Sequence, residues 1–295
     1  MPDYLIHIGW DPASKKTRLL IICESSNMGA SDAEIMSMKQ SIWPTFTLKD
    51  RDIHRYRIGP LTIFLKRFLD EIWVASIRDD DTRGDPAGLP EKPEWIRLAL
   101  PGEFDEYRIR PVMPDRPVII DTEHSYSFFS QTRTRVFSRV PAWVRITPAS
   151  RDDLIIAELP TVVLSETWFG GFTEGELSYA VSSTARRILT EDLLEPHLVV
   201  CPMEIRNNSD AELKFEKVCL RVDRLSIFAR GDALWSDETV IDYQGMDSST
   251  DTEIKGVRPP EAGDAKLVSK PRMPVRKTIG MKTFRRLRDF HIPGF

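Results

Sequence analysis

Apolar and polar residues alternate along the stretch from Val200 to Tyr243, and this alternation constrains the fold more than any other feature of the sequence. It predicts a strand over residues 199–206, the turn Asn207-Asn208-Ser209-Asp210, and then a second strand. One face of that second strand carries Leu213, Phe215, Val218, Leu220 and Val222. Such a strand packs on one side and meets water on the other. Asn and Asp side chains bond to nearby main chain, which favours a turn between the two strands.

The composition is typical of a globular chain long enough for two domains. The 295 residues are 41% hydrophobic and 29% charged, and the formal net charge is −4. A small negative charge gives no overall attraction to nucleic acid or to acidic membranes. Proline outnumbers glycine, 21 to 15, which favours short strands joined by turns over long helices.

The sequence shows neither a signal peptide nor a membrane span. The N-terminus, MPDYLIHIGW, lacks a basic start followed by an apolar run. No stretch approaches the ~20 apolar residues that cross a bilayer. Cys23, Cys201 and Cys219 form no CxxC pair, which fits a reducing compartment. We therefore expect a cytoplasmic protein with buried free thiols. A disulfide between Cys201 and Cys219, across neighbouring strands, is the alternative.

Short strands separated by turn residues recur along the chain, so the sequence predicts a mainly β fold. We expect two β-sandwich-like, immunoglobulin-like domains of antiparallel strands with a few short helices. The polar segment that begins at Pro148 is the predicted boundary. The predicted parts are an N-terminal β-rich domain over residues 1–149, a C-terminal immunoglobulin-like β-sandwich domain over residues 150–269 and a basic tail over residues 270–295.

Two further elements are predicted near the N-terminus. Strands over residues 4–8 and 18–23 are joined by a polar turn. Ser31 and Glu34 form a capping-box pattern, which predicts a helix from Ser31 to Ile42.

The segment from Glu166 to Glu176 is the candidate small-molecule site. Its acidic and aromatic candidates are Glu166, Trp168, Glu174 and Glu176, and three glycines lie among them. Two carboxylates that flank a ligand can perform acid and base chemistry, with the indole as a stacking platform. The alternative is a wide turn between strands, anchored by Trp168 and Phe169. No GxGxxG, GK[ST] or GxSxG pattern is present, so we predict neither a phosphate cradle nor a serine nucleophile.

Arginines alternate with aromatic residues between positions 133 and 147. The basic candidates are Arg133, Arg135, Arg139 and Arg145, while Val136, Val140, Val144 and Ile146 take the opposite face. Pro141 predicts an edge strand, or two strands with a bend. Interleaved arginines and rings suit a nucleic acid. The alternative is a solvated face on which arginine stems cover the rings and Asp152, Asp153 or Glu158 neutralise the charge.

The tail beyond residue 270 is strongly basic. Its candidate binding residues are Arg276, Lys277, Arg285, Arg286 and Arg288, and residues 281–290 are predicted as a short basic helix. Such a segment can bind anionic lipid, nucleic acid or an acidic protein. It can equally cap the acidic bulk of its own chain, and both interpretations stay open.

The sequence predicts no metal ion and no cofactor. The five histidines, His7, His54, His124, His197 and His291, lie far apart and form no HxH or HExxH pattern. Asp79-Asp80-Asp81 lacks the EF-hand spacing and the closing glutamate of that motif. We therefore assign neither metal ligands nor catalytic residues.

Several segments resemble one prokaryotic family. They are RYRIGPLTIFL with EIWVA, RPVMPDRPVII, VFSRVPAWVRI, LSETWFGGFTEGELSYAVSSTARR, and CPMEIRNNSDAELKFEKVCLRVDRLSIFA with LWSDETV. In this order they resemble domain-of-unknown-function family 432, which is best represented in archaea, from about residue 56 to residue 245. The resemblance implies no activity and supplies no catalytic residue.

These observations favour a non-enzymatic interaction or regulatory module, with an unknown protein or a second copy of the chain as partner. One alternative is a small-molecule or carbohydrate-binding protein, or a hydrolase, with its site near Trp168 to Glu176. A second alternative is a protein that binds nucleic acid or another anionic surface through the arginines and the tail.

Overall fold

A computed structural model describes residues 5–11, 16–22, 41–78, 93–171, 173, 175–191, 194–245, 250–273, 279–280 and 284–285. Only the backbone is described at 5–22, 123–125, 182–184, 215–216, 279–280 and 284–285. The fold is mainly β, with several sheets, one of which curls into a half-barrel. The strands are β1 Leu5–Asp11, β2 Lys16–Ile22, β3 Thr45–Thr47, β4 Ile53–Ile58, β5 Leu61–Phe68, β6 Glu71–Arg78, β7 Ile96–Ala99, β8 Glu106–Val112, β9 Val118–Phe128, β10 Thr132–Pro141, β11 Trp143–Pro148, β12 Ala157–Pro160, β13 Ser165–Phe169, β14 Glu176–Ala185, β15 Leu198–Asn207, β16 Leu213–Leu220, β17 Ile227–Arg230, β18 Ala233–Ser236, β19 Thr239–Tyr243, β20 Asp251–Ile254, β21 Lys266–Ser269, β22 Ile279–Gly280 and β23 Phe284–Arg285.

The chain forms two compact units, residues 1–39 and residues 40–295. In the first unit β1 and β2 pair in antiparallel register, from Leu5 beside Ile22 to Asp11 beside Lys16. This confirms the two strands predicted there. The predicted helix from Ser31 lies outside the described residues as far as residue 40.

Two four-stranded sheets of the second unit share one hydrophobic core. Sheet I has the order β4-β5-β6-β7 and sheet II has the order β12-β11-β8-β3. Alternate residues of sheet I, among them Ile63, Leu65 and Val74, share this core with Tyr107 and Ile146 of sheet II. The sheets therefore pack through their apolar faces, because strand alternation places these side chains on one side of each sheet.

Two larger sheets enclose the second core. Sheet III has the order β13-β14-β9-β16-β23, and sheet IV contains β10, β15 and β17 to β22. Val118 and Val218 of sheet III share this core with Val136, Val140 and Met203 of sheet IV, all at 0% exposure. The predicted buried face of the arginine-rich segment, Val136, Val140, Val144 and Ile146, is thus confirmed, although its halves β10 and β11 lie in different sheets.

One strand of sheet IV is interrupted next to a proline. β18 pairs in parallel with β15 at residues 199–200, and β19 pairs in parallel with it at residues 203–207. Between these two paired stretches, the three residues Ser236, Asp237 and Glu238 lie opposite the two residues Cys201 and Pro202 of β15, which makes a bulge. A proline has no N–H for the ladder, so a bulge is where a central strand tolerates it.

Four features differ from the sequence predictions. β14 pairs in parallel with β9, and β15 with β18 and β19, so the strands are not all antiparallel. β15 and β16, on either side of the Asn207 turn, belong to different sheets, so this turn joins two sheets. Phe284 and Arg285 form β23 beside β16, where a basic helix was predicted. The helical elements whose bounds are described are two 3-10 turns, Val222–Arg224 and Pro260–Ala262, and the described residues contain no α-helix.

Strands on both sides of the predicted boundary at residues 149 and 150 pair with one another, for example β10 with β15. The division into domains at that point stays a prediction. Among the described residues, no helix has the length and apolar content that a membrane crossing requires.

Candidate functional site

The β13–β14 hairpin holds three of the predicted site residues, and it separates the two carboxylates. Glu166 lies beside Tyr179, Trp168 beside Leu177, and Phe169 beside Glu176. Because side chains alternate along a strand, Glu166 and Trp168 share one face while Glu176 lies on the other. The structure therefore does not place Glu166 and Glu176 on the two sides of one ligand. Glu174 lies outside the described residues.

Glu166 is committed to an arginine on its own face. Arg116 Nη1 lies 2.6 Å from Glu166 Oε1, and the guanidinium lies 5.5 Å from the centroid of the Tyr179 ring. The Tyr179 hydroxyl donates to Asp115 Oδ1 at 2.9 Å. Burial and this carboxylate raise the pKa of Tyr179. These contacts connect the hairpin to the segment between β8 and β9, so they hold the hairpin in place.

Glu176 forms a two-pronged ion pair on the opposite face. Its oxygens lie 2.7 and 2.5 Å from the two Nη atoms of Arg221, whose side chain is 10% exposed. The neighbouring Cys219 is buried, and this burial raises the pKa of its thiol to about 12. A bidentate pair of this kind orients both side chains. Glu176 therefore anchors the hairpin and is not an open acid.

Trp168 and Leu177 remain exposed, at 48% and 41%. The indole Nε1 donates to the Gly171 carbonyl at 3.0 Å, which fixes the ring over its own turn. A Cβ at Gly175 would lie 2.1 Å from that nitrogen, so only glycine allows this close approach. The predicted wide turn anchored by Trp168 and the buried Phe169 agrees with this geometry.

Most arginines on the predicted basic face of β10 and β11 form ion pairs with glutamates of the same chain. Arg135 contacts Glu238 and Glu261 at 3.1 and 2.9 Å, Arg139 contacts Glu195 at 3.0 Å, and Arg145 pairs with Glu158. Arg135 also lies over the buried Phe137 ring. Arg133 is exposed. Three of the four arginines are thus paired with acids of their own chain, as in the alternative of a neutralised solvated face, and nucleic-acid binding by this face stays a prediction.

The start of the basic tail is bound to the chain itself. Arg272 contacts Glu158 at 2.5 Å, donates to the Met113 carbonyl at 2.5 Å, and lies 5.3 Å from the Trp143 ring centroid. The Met273 amide donates to the Asp223 carbonyl. Arg272 therefore neutralises a carboxylate of its own chain. Arg276, Lys277, Arg286 and Arg288 lie outside the described residues, and Arg285 is described by its backbone in β23.

A buried carboxyl group that the sequence did not single out lies at the bulge of sheet IV. Asp237 has 0% exposure, and its oxygens accept bonds from the Ser226 amide at 2.9 Å and hydroxyl at 3.2 Å. Burial raises the pKa of Asp237 to about 6. The side chain closes the gap where β18 ends, beside the start of β17. The one sequence signal for a buried carboxyl group here is that Asp237 directly follows the apolar strand β18.

A shallow cleft of about 560 Å³ lies at the β5–β6 turn, lined by Asp50, Arg67, Leu69, Asp70, Leu100, Gly102 and Glu103. Arg67 is used there as a structural group, because it bonds to Asp105 at 2.5 Å and to the Phe104 carbonyl at 2.8 Å. Within the described part of the chain, no three His, Cys, Asp or Glu side chains are grouped to hold a metal ion.

Cys201 and Cys219 are free and buried, and they lie in different sheets, β15 in sheet IV and β16 in sheet III. The predicted buried thiols are thus confirmed.

No curated protein and no solved structure matches the chain. A family model described as "Protein of unknown function (DUF432)" matches residues 42–288. The match spans most of the chain, somewhat more than the segments that suggested the resemblance, and the chain therefore belongs to the DUF432 family.

Proposed function

We propose that the chain is a non-enzymatic interaction or regulatory module that binds a protein partner through the Trp168–Leu177 pair. The observation that supports this proposal is the position of the pair on the core-facing side of sheet III. Val181, on the same face of β14, is 6% exposed and packs in the second core. Four residues towards the turn, Leu177 has the same orientation but remains 41% exposed.

Trp168 and Leu177 therefore continue the apolar face of sheet III past the part of that face that is buried in the second core. A tryptophan held by its own turn loses little conformational freedom on binding, and buried aromatic anchors dominate many protein interfaces. The hairpin is fixed from both faces by Arg116 and Arg221. β13 is also the outer strand of its sheet, so its free edge lies beside the pair. A partner strand, from another protein or from a second copy, can add to such an edge.

Association is tested with purified wild-type chain and with Trp168→Ala and Leu177→Ala. Sedimentation velocity reports self-association, and quantitative capture of cross-linked partners reports other proteins. Loss of an anchor worth 2 kcal/mol weakens an association about 30-fold. Leu267→Ala is the matched control, because Leu267 is 51% exposed on β21 of another sheet. Unchanged association and an unchanged partner set in both hairpin variants would refute the proposal.

A carbohydrate or another small molecule is the second candidate. The exposed Trp168 ring and Glu166 lie on one face, which suits a sugar that stacks on the indole. Titration with oligosaccharides, followed by tryptophan fluorescence in wild type and Trp168→Ala, tests this. The hydrolase version is less favoured, because Glu166 and Glu176 lie on opposite faces and each is paired with an arginine.

Three finer aspects belong to the same proposal: the sandwich topology, the cytoplasmic location and an acidic partner of the tail. We describe each pair of sheets as a β-sandwich and the second pair as immunoglobulin-like, on the basis of the shared cores. An experimental structure tests that topology. A cytoplasmic location is tested by cell fractionation. An acidic partner of the tail is tested by comparing the full chain with a chain that ends at residue 273.

A further inference from the structure

One face of sheet I carries a row of cations around a tryptophan. In the strand register Ile53 lies beside Lys66, Lys66 beside Trp73, and Trp73 beside Arg97. Residues directly opposite one another point to the same face of a sheet. Lys66, Trp73 and Arg97, which we call the cation–tryptophan row, therefore line up across three strands. Leu65 and Val74, with the opposite orientation, belong to the core.

The indole holds the two cations in place. Lys66 Nζ lies 4.9 Å from the centroid of the Trp73 ring, and Arg97 Cζ lies 3.9 Å from it. The Trp73 Nε1 donates to Glu71 Oε2 at 2.6 Å, so this carboxylate is directed at the indole. Within the described ranges, no carboxylate lies at ion-pair distance from Lys66 or Arg97. Because both cations lie close to the same ring centroid, their two positive charges are less than about 9 Å apart.

The row is open at the end of the sheet that carries the β5–β6 turn. Arg97 is exposed, Ile53 is 51% exposed, and Phe68 is 38% exposed with its ring 5.9 Å from that of Trp73. In the other direction along the strands, Phe64 and Ala75 are buried. The open surface thus combines two cations with two neighbouring aromatic rings and ends where the sheet becomes covered.

We propose that the cation–tryptophan row and Phe68 bind single-stranded nucleic acid. The two cations complement backbone phosphates. A guanidinium that lies over an indole, and the exposed Phe68 ring, are planar surfaces on which bases stack. An acidic peptide would match the charges alone, so the rings favour the nucleic acid. The site shares no residue with the Trp168–Leu177 pair, and either proposal can fail without the other.

The experiment measures binding of fluorescein-labelled single-stranded 20-mers of DNA and RNA to the full chain by fluorescence anisotropy. Each oligonucleotide is titrated at 50 and 200 mM NaCl. Contact with two phosphates on a single strand predicts about a 7-fold loss of affinity over this fourfold change in salt. Lys66→Glu and Arg97→Glu are expected to lower the affinity at least 10-fold at 50 mM. Phe68→Ala is expected to lower it about 10-fold, because one stacked base is lost.

Lys266→Glu is the matched charge control, since Lys266 is exposed on β21 of sheet IV. It is expected to change the affinity less than twofold. Circular dichroism and the thermal midpoint show whether each variant is folded, and Lys66→Gln replaces any variant that is not. The proposal is overturned if no oligonucleotide binds at 50 mM NaCl, or if wild type and the folded row variants bind it equally. Binding of poly-glutamate as tightly as of the oligonucleotide would also overturn it, because charge alone would then account for the site.

Discussion

Asp237→Asn tests whether the buried carboxyl group opposes folding at neutral pH. Burial raises the pKa of Asp237 from 3.8 to about 6, so the folded chain binds the proton more tightly than the unfolded chain. The free energy of unfolding therefore falls as pH rises from about 4 to about 6, and it levels off above that. A shift of about two pKa units corresponds to about 3 kcal/mol. Asparagine resembles the protonated acid and still accepts the Ser226 amide bond. We expect the variant to equal wild type near pH 4 and to exceed its stability by up to about 3 kcal/mol at pH 7.

Urea unfolding at pH 4.5, 5.5 and 7.0, followed by tryptophan fluorescence, measures this difference. Asp153→Asn is the control, because the Arg151 guanidinium lowers the pKa of this exposed carboxyl group. The ionised Asp153 carboxylate stabilises the fold above about pH 4, and this effect is lost only as the pH falls further. The free energy of unfolding of Asp153→Asn should therefore change with pH in parallel with that of wild type between pH 4.5 and 7.0. The reasoning is refuted if Asp237→Asn keeps the wild-type pH dependence, or if it is less stable than wild type at pH 7.0.

Three further predictions concern the described contacts. Burial raises the pKa of both the Cys201 and the Cys219 thiols to about 12. Peptide mass spectrometry after alkylation at pH 8 should show labelling at least 100-fold slower in the folded chain than in urea, and fast labelling of both would contradict this burial. Glu158→Gln leaves two part-buried arginines without their shared carboxylate, so urea unfolding should show a loss of about 1–3 kcal/mol. The control is Glu212→Gln at an exposed position, which should change stability by less than about 0.5 kcal/mol. Equal losses of stability in the two variants would contradict the prediction for Glu158. Gly175→Ala should displace the indole beside it, and unchanged tryptophan emission would show that the close approach is not required.

The sequence predicts the strands correctly where local chemistry decides the structure. The Asn207 side chain accepts a bond from the Ser209 amide at 3.1 Å, as expected for this turn. Its amide group also donates to the carbonyls of Phe128, Phe129 and Ala211. The apolar positions of β16 change phase between Phe215 and Val218, and the structure has a β-bulge against β9 there. The Ser209 bond and the change of phase depend on residues within a few positions of each other, whereas Phe128 and Phe129 reach Asn207 only through the tertiary structure.

The candidate site could be predicted only in part, because the partner of a side chain depends on distant strands. Arg116 and Arg221 are 50 and 45 residues from the carboxylates that they bind. Nothing in the sequence around Glu166 or Glu176 indicates these pairs. Glu158 is one of the three acids that the sequence offered as neutralising groups for the arginines, and it pairs with Arg145 because β12 lies beside β11.

Sequence by itself determined the mainly β character, the alternating buried faces, the free thiols and the membership of the family. The first three follow from side-chain type and from spacing along one strand, whereas the last follows from the match of the chain to the family model. Tertiary structure decided which strands share a sheet, and therefore that β15 and β16 separate, that Glu166 and Glu176 face apart, and that Lys66, Trp73 and Arg97 align. Strand pairing joins residues that are far apart in sequence, and a local pattern carries no information about that choice.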